Sequence, residues 1–142
     1  MTSTPRRRFL QQTGVLAGAL ALPGSLISQN ATRTIHVAVI GLGGRGINLA
    51  KIFAREPQVK IAWLCDPDSR RAARAQEAFD PQLPEPPRFT QDFRQVLDDA
   101  RVNALVVATP DHWHGLTTIL GCQAGKDVYV EKPLSHTQWE GR

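Results

Sequence analysis

Three glycines stand at a spacing that suits the binding of a phosphate group. Gly41, Gly43 and Gly46 form the pattern G-x-G-x-x-G directly after the apolar residues 35–40. In such a pattern the first glycine turns the chain sharply, the second lets the backbone approach a pyrophosphate, and the third lets the next helix pack closely. The amino terminus of that helix adds N–H donors and a positive dipole end. The pattern therefore predicts a phosphate-binding turn between a strand and a helix.

An acidic residue follows where a dinucleotide site needs one. A helical pattern over residues 47–54 leads to a second apolar strand, predicted over residues 59–64, and Cys65 and Asp66 follow it. Asp66 lies about 20 residues beyond Gly46, which is the position of an acid that accepts a hydrogen bond from a ribose hydroxyl group. The glycines and Asp66 together predict a dinucleotide as the cofactor.

The residues around Asp66 bear on which dinucleotide is bound. A carboxylate at this position favours NAD, because it would repel the additional 2′-phosphate of NADP. Arg70 and Arg71 lie just beyond it on a predicted helix and could bind that phosphate instead. The sequence therefore favours NAD and leaves NADP open.

The elements after residue 34 alternate between strand and helix. Continuous apolar runs such as residues 104–108 are typical of parallel strands that are covered on both faces. Right-handed crossovers between such strands give an α/β fold, a Rossmann-type doubly wound parallel sheet with its ligand crevice at the carboxyl ends of the strands. Strands are predicted over residues 35–40, 59–64, 88–90, 104–108 and 127–130, and helices over 47–54, 70–79, 92–97 and 115–124.

Local signals mark the ends and faces of these helices. Asp68 or Ser69 is a suitable N-cap for the second helix, and Gly125 is a suitable C-cap for the last. The last helix carries one apolar face, formed by Leu116, Ile119, Leu120 and Ala124. Cys65 closes a strand and Cys122 lies in this last helix, so we interpret both as small apolar core residues rather than as a disulfide or metal ligands.

The candidate functional residues all follow the carboxyl end of a strand. The glycine turn follows the first strand, Asp66 the second, Thr109 and Pro110 the fourth, and residues 131–133 the fifth. In a parallel sheet these ends lie at one edge, so we expect the four loops to border a single crevice.

With these loops placed, residues 34–142 resemble the amino-terminal half of the Gfo/Idh/MocA family of nicotinamide-dependent oxidoreductases. The most specific signature is Glu131-Lys132-Pro133 after a helix that ends in Ala124-Gly125-Lys126. The resemblance also rests on the glycine turn, on Asp66 and on residues 108–114, which read Ala-Thr-Pro-Asp-His-Trp-His. Asp111 occupies a position at which the family often has asparagine, and the aspartate adds a negative charge there.

The resemblance implies roles for individual residues. The glycine turn holds the pyrophosphate, the acid binds the adenosine ribose, the Thr-Pro loop borders the cofactor, and the glutamate lies beside the nicotinamide ribose. No metal site is implied, and the pair His112 and His114 lacks the further ligands that a metal would need. The predicted cofactor-binding residues are Gly41, Gly43, Gly44, Arg45, Gly46, Asp66, Thr109, Pro110, His114 and Glu131.

Lys132 is the predicted catalytic residue. In the resembling family this lysine points into the substrate crevice. An ammonium group beside a nicotinamide can stabilise negative charge that develops on a carbonyl or alkoxide oxygen during hydride transfer. The alternative is a surface lysine that merely precedes a proline.

The resemblance implies an oxidoreductase that acts by hydride transfer on a sugar, cyclitol or related hydroxyl compound. Its family has a carboxyl-terminal α+β domain that supplies most substrate contacts and the general acid/base, and that domain is absent from residues 1–142. We therefore expect a truncated chain that is inactive alone and forms a homo-oligomer when full length. Two alternatives stay open: a non-catalytic NAD-binding module, and a glycosidase that oxidises its substrate transiently with bound NAD. Lys132 favours the dehydrogenase, because the glycosidase subgroup tends to lack this lysine.

The amino terminus resembles a twin-arginine export signal. Residues 5–10 read Pro-Arg-Arg-Arg-Phe-Leu, and the apolar run over residues 15–27 is too short and too broken to span a bilayer. We predict that residues 1–30 are a signal peptide, that the twin-arginine translocase is a partner during export, and that the protein is periplasmic without stable membrane insertion. A basic tail that stays in the cytoplasm is the alternative.

Composition and charge exclude other classes of protein. The 142 residues are 42% hydrophobic and 21% charged, which is typical of one globular domain and not of a disordered chain. The net charge is +4, but Arg6, Arg7 and Arg8 contribute three of these charges and the remaining chain carries only +1. This balance gives no basic surface of the kind that nucleic-acid binding needs.

Overall fold

The computed structural model describes residues 33–79 and 85–142. The predicted signal peptide over residues 1–30 lies outside the described residues. Residues 32–142 form one compact unit. Its strands are β1 (Ile35–Ile40), β2 (Val59–Cys65), β3 (Arg88–Thr90), β4 (Ala104–Val107) and β5 (Asp127–Val130), and its helices are α1 (Gly44–Phe53), α2 (Ser69–Glu77), α3 (Arg94–Asp98) and α4 (His114–Gln123), with a 3₁₀ turn at Asp111–Trp113.

The five strands form one parallel sheet in the order β3-β2-β1-β4-β5. Val39 of β1 stands beside Leu64 of β2 on one side and Val106 of β4 on the other. From β1 the chain adds β2 and β3 on one side of the sheet and then β4 and β5 on the other side. The direction in which strands are added therefore reverses between β1 and β4. Ligands of doubly wound sheets bind at such a reversal, outside the carboxyl ends of the strands. The predicted Rossmann-type fold is confirmed.

The core has two parts, one on each face of the sheet. Because successive strand residues point to opposite faces, Val37 and Val39 contribute to one cluster, while Ala38 and Ile40 contribute to the other. Helix α1 covers the first cluster with Leu49 and neighbouring residues. This coverage of both faces explains why the central strands are continuous apolar runs.

The structure corrects the interior face predicted for the last helix. Leu116 is 48% exposed and Ile119 is 53% exposed, whereas Thr117 and Gly121 are buried. A Cβ atom on Gly121 would lie 2.7 Å from Leu105 Cδ1 and 2.9 Å from Val128 Cγ2, so α4 approaches the sheet through its small residues. Cys122 turns outward with the apolar face and is exposed, so its predicted place in the core was wrong.

The predicted helix ends are in place. Asp68 caps α2 by accepting a hydrogen bond from the Arg70 N–H, and Gly125 follows α4 with a φ of +71°. Over the residues that the model describes, no helix combines the length and the apolar character that crossing a membrane requires.

Candidate functional site

The glycine turn lies between the ends of β2 and β4. The Gly41 N–H donates to the Cys65 carbonyl group over 2.8 Å, and Gly41 has a φ of +91°, which only glycine adopts easily. A Cβ atom here would lie 2.7 Å from the backbone of Ala108 and Thr109, and one on Gly46 would overlap the Gly41 carbonyl oxygen. These two glycines let the turn and helix α1 approach the sheet closely.

The open side of this turn fits a phosphate group. The first hydrogen bond inside α1 runs from the Ile47 N–H to the Gly43 carbonyl group, so the N–H groups of residues 44–46 have no acceptor within the helix. Gly44 is exposed and a Cβ atom on it would meet no atom within 4 Å, while one on Gly43 would lie 3.3 Å from Arg71 Nη1. An anion at this position would meet backbone donors and the positive end of the helix dipole.

The Asp66 carboxylate holds the glycine turn by a hydrogen bond to its backbone. Its Oδ2 accepts the Leu42 N–H over 2.7 Å, and its Oδ1 accepts the Asp68 N–H over 2.9 Å. Arg71 Nη1 lies 3.6 Å from Oδ2. The residue is only 4% exposed, so the acid predicted to bind ribose also has a structural role.

An ion pair joins the glycine turn to the loop after β5. Glu131 Oε1 accepts a hydrogen bond from Arg45 Nε over 2.8 Å, and Arg45 Nη2 lies 2.7 Å from the same oxygen. This hydrogen bond lowers the pKa of the Glu131 carboxyl group and raises the pKa of Arg45. The residue predicted at the pyrophosphate and the residue predicted at the nicotinamide ribose are therefore in direct contact in this structure.

His114 joins the loops that follow β4 and β5. The residue is 2% exposed at the start of α4. Its Nδ1 lies 2.6 Å from the Pro133 carbonyl oxygen, and its Nε2 lies 2.8 Å from the Thr109 carbonyl oxygen. Both ring nitrogens thus face backbone carbonyl oxygens, and a neutral ring has one N–H with which to donate to one of them. A cofactor-binding role for the ring stays a prediction.

Thr109, Pro110 and Lys132 border the same edge of the sheet. Pro110 and Lys132 are exposed, and Lys132 has no carboxylate within 4.0 Å among residues 33–79 and 85–142. The Thr109 Oγ1 atom is buried and has no hydrogen-bond partner within the described part of the chain. The structure thus brings all the predicted site residues to one edge, and their individual roles stay predictions.

Sequence reasoning missed a second charged pair at this edge. His136 Nδ1 lies 3.0 Å from Asp111 Oδ2, and Asp111 Oδ1 accepts the His112 N–H over 2.9 Å. The hydrogen bond between the side chains lowers the pKa of Asp111 and raises that of His136. The two side chains are 25 residues apart, and no spacing rule connects them. Within the described ranges, no group of three or more potential ligands could hold a metal ion.

Comparison with protein families agrees with this geometry. Residues 35–141 match the Gfo/Idh/MocA model, described as an oxidoreductase family with an NAD-binding Rossmann fold. The match covers most of the chain, so the fold and the glycine turn define a nicotinamide-dinucleotide-binding domain. The chain belongs to the Gfo/Idh/MocA oxidoreductase family, and its cofactor is NAD, as the sequence predicted.

Curated relatives carry the names of glycosidases. A glycosyl hydrolase family 109 protein of Shewanella sp. (strain ANA-3) is 30% identical over 96% of this chain and 35% of its own length. An alpha-N-acetylgalactosaminidase of Shewanella oneidensis is 25% identical over the same shares of the two chains. The chain thus spans about a third of the length of these relatives.

Solved structures with this fold include dehydrogenases. GenD2 from gentamicin A biosynthesis, in complex with NAD, has a TM-score of 0.68 and 31% identity over 78% of this chain and 30% of its own. Myo-inositol 2-dehydrogenase from Lactobacillus plantarum has a TM-score of 0.66 and 26% identity over 76% and 31%. The WlbA dehydrogenase from Bordetella pertussis, in complex with NADH and UDP-GlcNAcA, has a TM-score of 0.67 and 25% identity over 77% and 31%.

Proposed function

We propose that this chain is the cofactor-binding part of an oxidoreductase that transfers hydride between NAD and a hydroxyl-bearing carbon of a sugar, cyclitol or related compound. The observation that carries the proposal is the meeting of four loops at the reversal of strand order, where Arg45 contacts Glu131 and His114 contacts Thr109 and Pro133. The dehydrogenase neighbours support the reaction class.

Each loop has one proposed part in holding the cofactor. The N–H groups at the start of α1 and the Arg45 guanidinium bind the pyrophosphate. Asp66 accepts a hydrogen bond from the adenosine ribose, and Glu131 accepts one from the nicotinamide ribose. Thr109 and Pro110 border the cofactor.

Lys132 is the proposed catalytic residue. The nicotinamide ring supplies the acceptor or donor of hydride when it is bound. Lys132 donates a hydrogen bond to the substrate oxygen and stabilises the negative charge that develops on it. We propose that a further domain supplies the general acid/base that takes or returns the hydroxyl proton.

Nucleotide titration tests the cofactor part of the proposal. We expect NADH fluorescence to rise and saturate on addition of the protein, with NADPH binding more weakly because Asp66 repels the 2′-phosphate. Absence of binding of either nucleotide at millimolar concentration would overturn the proposal. Binding without turnover in a protein that also holds the further domain would favour a non-catalytic module.

A second candidate function is hydrolysis of glycosides with bound NAD as a transient oxidant. The family 109 relatives favour it, whereas Lys132 favours the dehydrogenase. The two functions differ in their products. A dehydrogenase reduces NAD in proportion to the myo-inositol or sugar oxidised, while a glycosidase releases p-nitrophenol from p-nitrophenyl α-N-acetylgalactosaminide without net formation of NADH.

We also propose that residues 1–30 direct export through the twin-arginine pathway, which carries folded proteins and so suits a protein that binds its cofactor in the cytoplasm. Fusion of residues 1–34 to a reporter should bring it to the periplasm, and Arg6→Lys combined with Arg7→Lys should abolish this. Export that persists in a strain without the twin-arginine machinery would refute the proposal.

A further inference from the structure

We propose that His114 is a positioning residue that holds the backbone after Lys132 against the loop after β4, and that its ring does not contact the cofactor. The inference rests on the proposed catalytic part of Lys132. His114 then has a role different from the cofactor contact that its sequence pattern implies.

The loop after β5 has few other attachments. The Glu131 N–H donates to the Val107 carbonyl group over 2.9 Å, which is the last backbone bond between β5 and β4. From Pro133 to Ser135, the hydrogen-bonding contact found within the described residues is the one between the His114 ring and the Pro133 carbonyl oxygen. The ring therefore sets where Lys132 stands relative to the sheet.

The other end of the ring faces a carbonyl group of the loop after β4, and a neutral ring donates to only one of the two carbonyl groups. His114 Nε2 lies 2.8 Å from the Thr109 carbonyl oxygen, and Thr109 in turn packs its backbone against Gly41. The ring is buried between the two loops, and a cofactor contact would require one of these two interactions to break. Because a buried carbonyl group without a donor is unfavourable, the cofactor would gain little from such an exchange.

Two substitutions of His114 test the contacts of its two ring nitrogens separately. Asparagine places its amide nitrogen near the Nδ1 position and can still donate to the Pro133 carbonyl oxygen. Glutamine places its amide nitrogen near the Nε2 position, so it keeps the contact with Thr109 and loses the one with Pro133. The pair His114→Asn and His114→Gln is therefore matched in chemistry and differs in which loop stays attached.

Hydrogen exchange of the purified protein measures the attachment without any turnover. In His114→Gln, the amide of Glu131, which donates to the Val107 carbonyl group, should exchange about tenfold faster than in the unsubstituted protein, the scale of one lost hydrogen bond. It should change little in His114→Asn, and the amide of Val106 in β4 should change in neither. Equal exchange at Glu131 in all three proteins would overturn the proposal.

Cofactor binding and turnover complete the test. In the protein with its further domain, His114→Gln should lower kcat at saturating NAD more than it raises the Kd for NADH, and His114→Asn should restore kcat. Equal losses of NADH affinity in both variants, with unchanged exchange, would identify the ring as a cofactor ligand. If the unsubstituted protein binds no NADH, the proposed function fails, while the exchange rates still decide whether His114 holds the loop.

The unsubstituted protein provides a second measurement if neither variant folds. A ring N–H that donates to a buried carbonyl group exchanges slowly with water and is visible in a proton–nitrogen NMR spectrum of the imidazole side chains. We expect such a signal from His114. A His114 ring whose N–H protons exchange too fast to be seen would show that the ring is not held between the loops.

Discussion

The Arg45 guanidinium lies 2.7 Å from the Glu131 carboxylate, although 86 residues separate them in the chain. The pair connects the turn proposed to hold the pyrophosphate with the loop proposed to hold the nicotinamide ribose. An occupant of the crevice that draws either side chain toward itself therefore changes the surroundings of the other. These two parts of the site are therefore electrostatically coupled.

Replacement of Arg45 tests this coupling. Arg45→Gln removes the proposed pyrophosphate contact and leaves Glu131 without its cation, so the affinity for NADH should fall about tenfold, the scale of one charge-assisted hydrogen bond. The loss should shrink at high salt, because exposed charges are screened. Lys51→Gln in the last turn of the same helix removes the same charge from an exposed site and serves as the control. Equal losses in both variants would contradict a specific role for Arg45.

Removal of the Asp66 carboxylate should affect both folding and binding. Asp66→Ala leaves the Leu42 and Asp68 N–H groups without their acceptor, and we expect the free energy of unfolding to fall by about 3 kcal/mol, the scale of buried hydrogen bonds to a charged group. The affinity for NADH should fall more than that for NADPH, because the substitution also releases Arg71. Denaturant titration and nucleotide titration measure these effects. Asp99→Ala, which removes the acceptor of the Trp63 indole N–H at the opposite edge of the sheet, should lower stability without altering this preference.

Replacement of Lys132 tests the catalytic proposal in a protein that turns over. Lys132→Ala should lower kcat by about 10²–10³-fold, the scale observed when one donor to a developing oxyanion is removed. The Kd for NADH should stay nearly constant, since other loops hold the pyrophosphate and ribose. Lys132→Arg should restore little, because a planar guanidinium does not replace a compact ammonium group. If Lys132→Ala instead lost NADH affinity and kept its rate at saturation, Lys132 would be a binding residue.

The pair of Asp111 and His136 should be visible in a pH titration. Asp111 raises the pKa of His136 above its ordinary value of 6.5, so the stability that the protonated ring contributes is present below pH 6.5 and is lost as the pH rises through the higher value. Asp111→Asn should return the titration of the His136 ring protons in NMR to near 6.5. Glu140→Gln, which removes a weaker influence, should shift it less. An unshifted titration in the unsubstituted protein would mean that the pair does not form in solution.

The two cysteines should differ sharply in reactivity. Burial raises the pKa of the Cys65 thiol to about 12, with Asp66 as a second cause, whereas Cys122 is exposed on α4. An aromatic disulfide reagent at pH 8 should therefore modify Cys122 quickly and Cys65 only after unfolding, because the thiolate is the reacting form. Cys122→Ser should remove the fast phase and leave the slow one. A fast phase that survives this substitution would place Cys65 nearer the surface than the structure does.

The sheet and the position of the site could be predicted from local sequence patterns, because both features have local causes. The apolar runs of β1 and β4, the glycine turn and Gly125 each depend on a few neighbouring residues and on backbone sterics. The same reasoning failed for α4, where it assumed that larger apolar side chains face inward. The close approach of Gly121 to Leu105 and Val128 depends on tertiary packing that a helical period does not encode.

The contacts that fasten the site were not predictable from spacing. The Arg45–Glu131 pair and the His114–Pro133 contact join residues 86 and 19 positions apart, and each forms because two strand ends are adjacent in the sheet. A sequence pattern names such residues as candidates for binding. The pattern does not show that these residues contact one another.

The glycines of the turn have unequal freedom to change over evolutionary time. Gly41 and Gly46 leave no room for a side chain, whereas a Cβ atom on Gly43 would meet only the end of the Arg71 side chain, 3.3 Å away. Mutational drift at Gly43 is thus limited by the need for a pyrophosphate to approach the backbone, and drift at the other two by the scaffold itself. Distant homologues that have lost the cofactor should keep Gly41 and Gly46 and vary at Gly43, so the residue at that one position would distinguish a retired binding site from a working one.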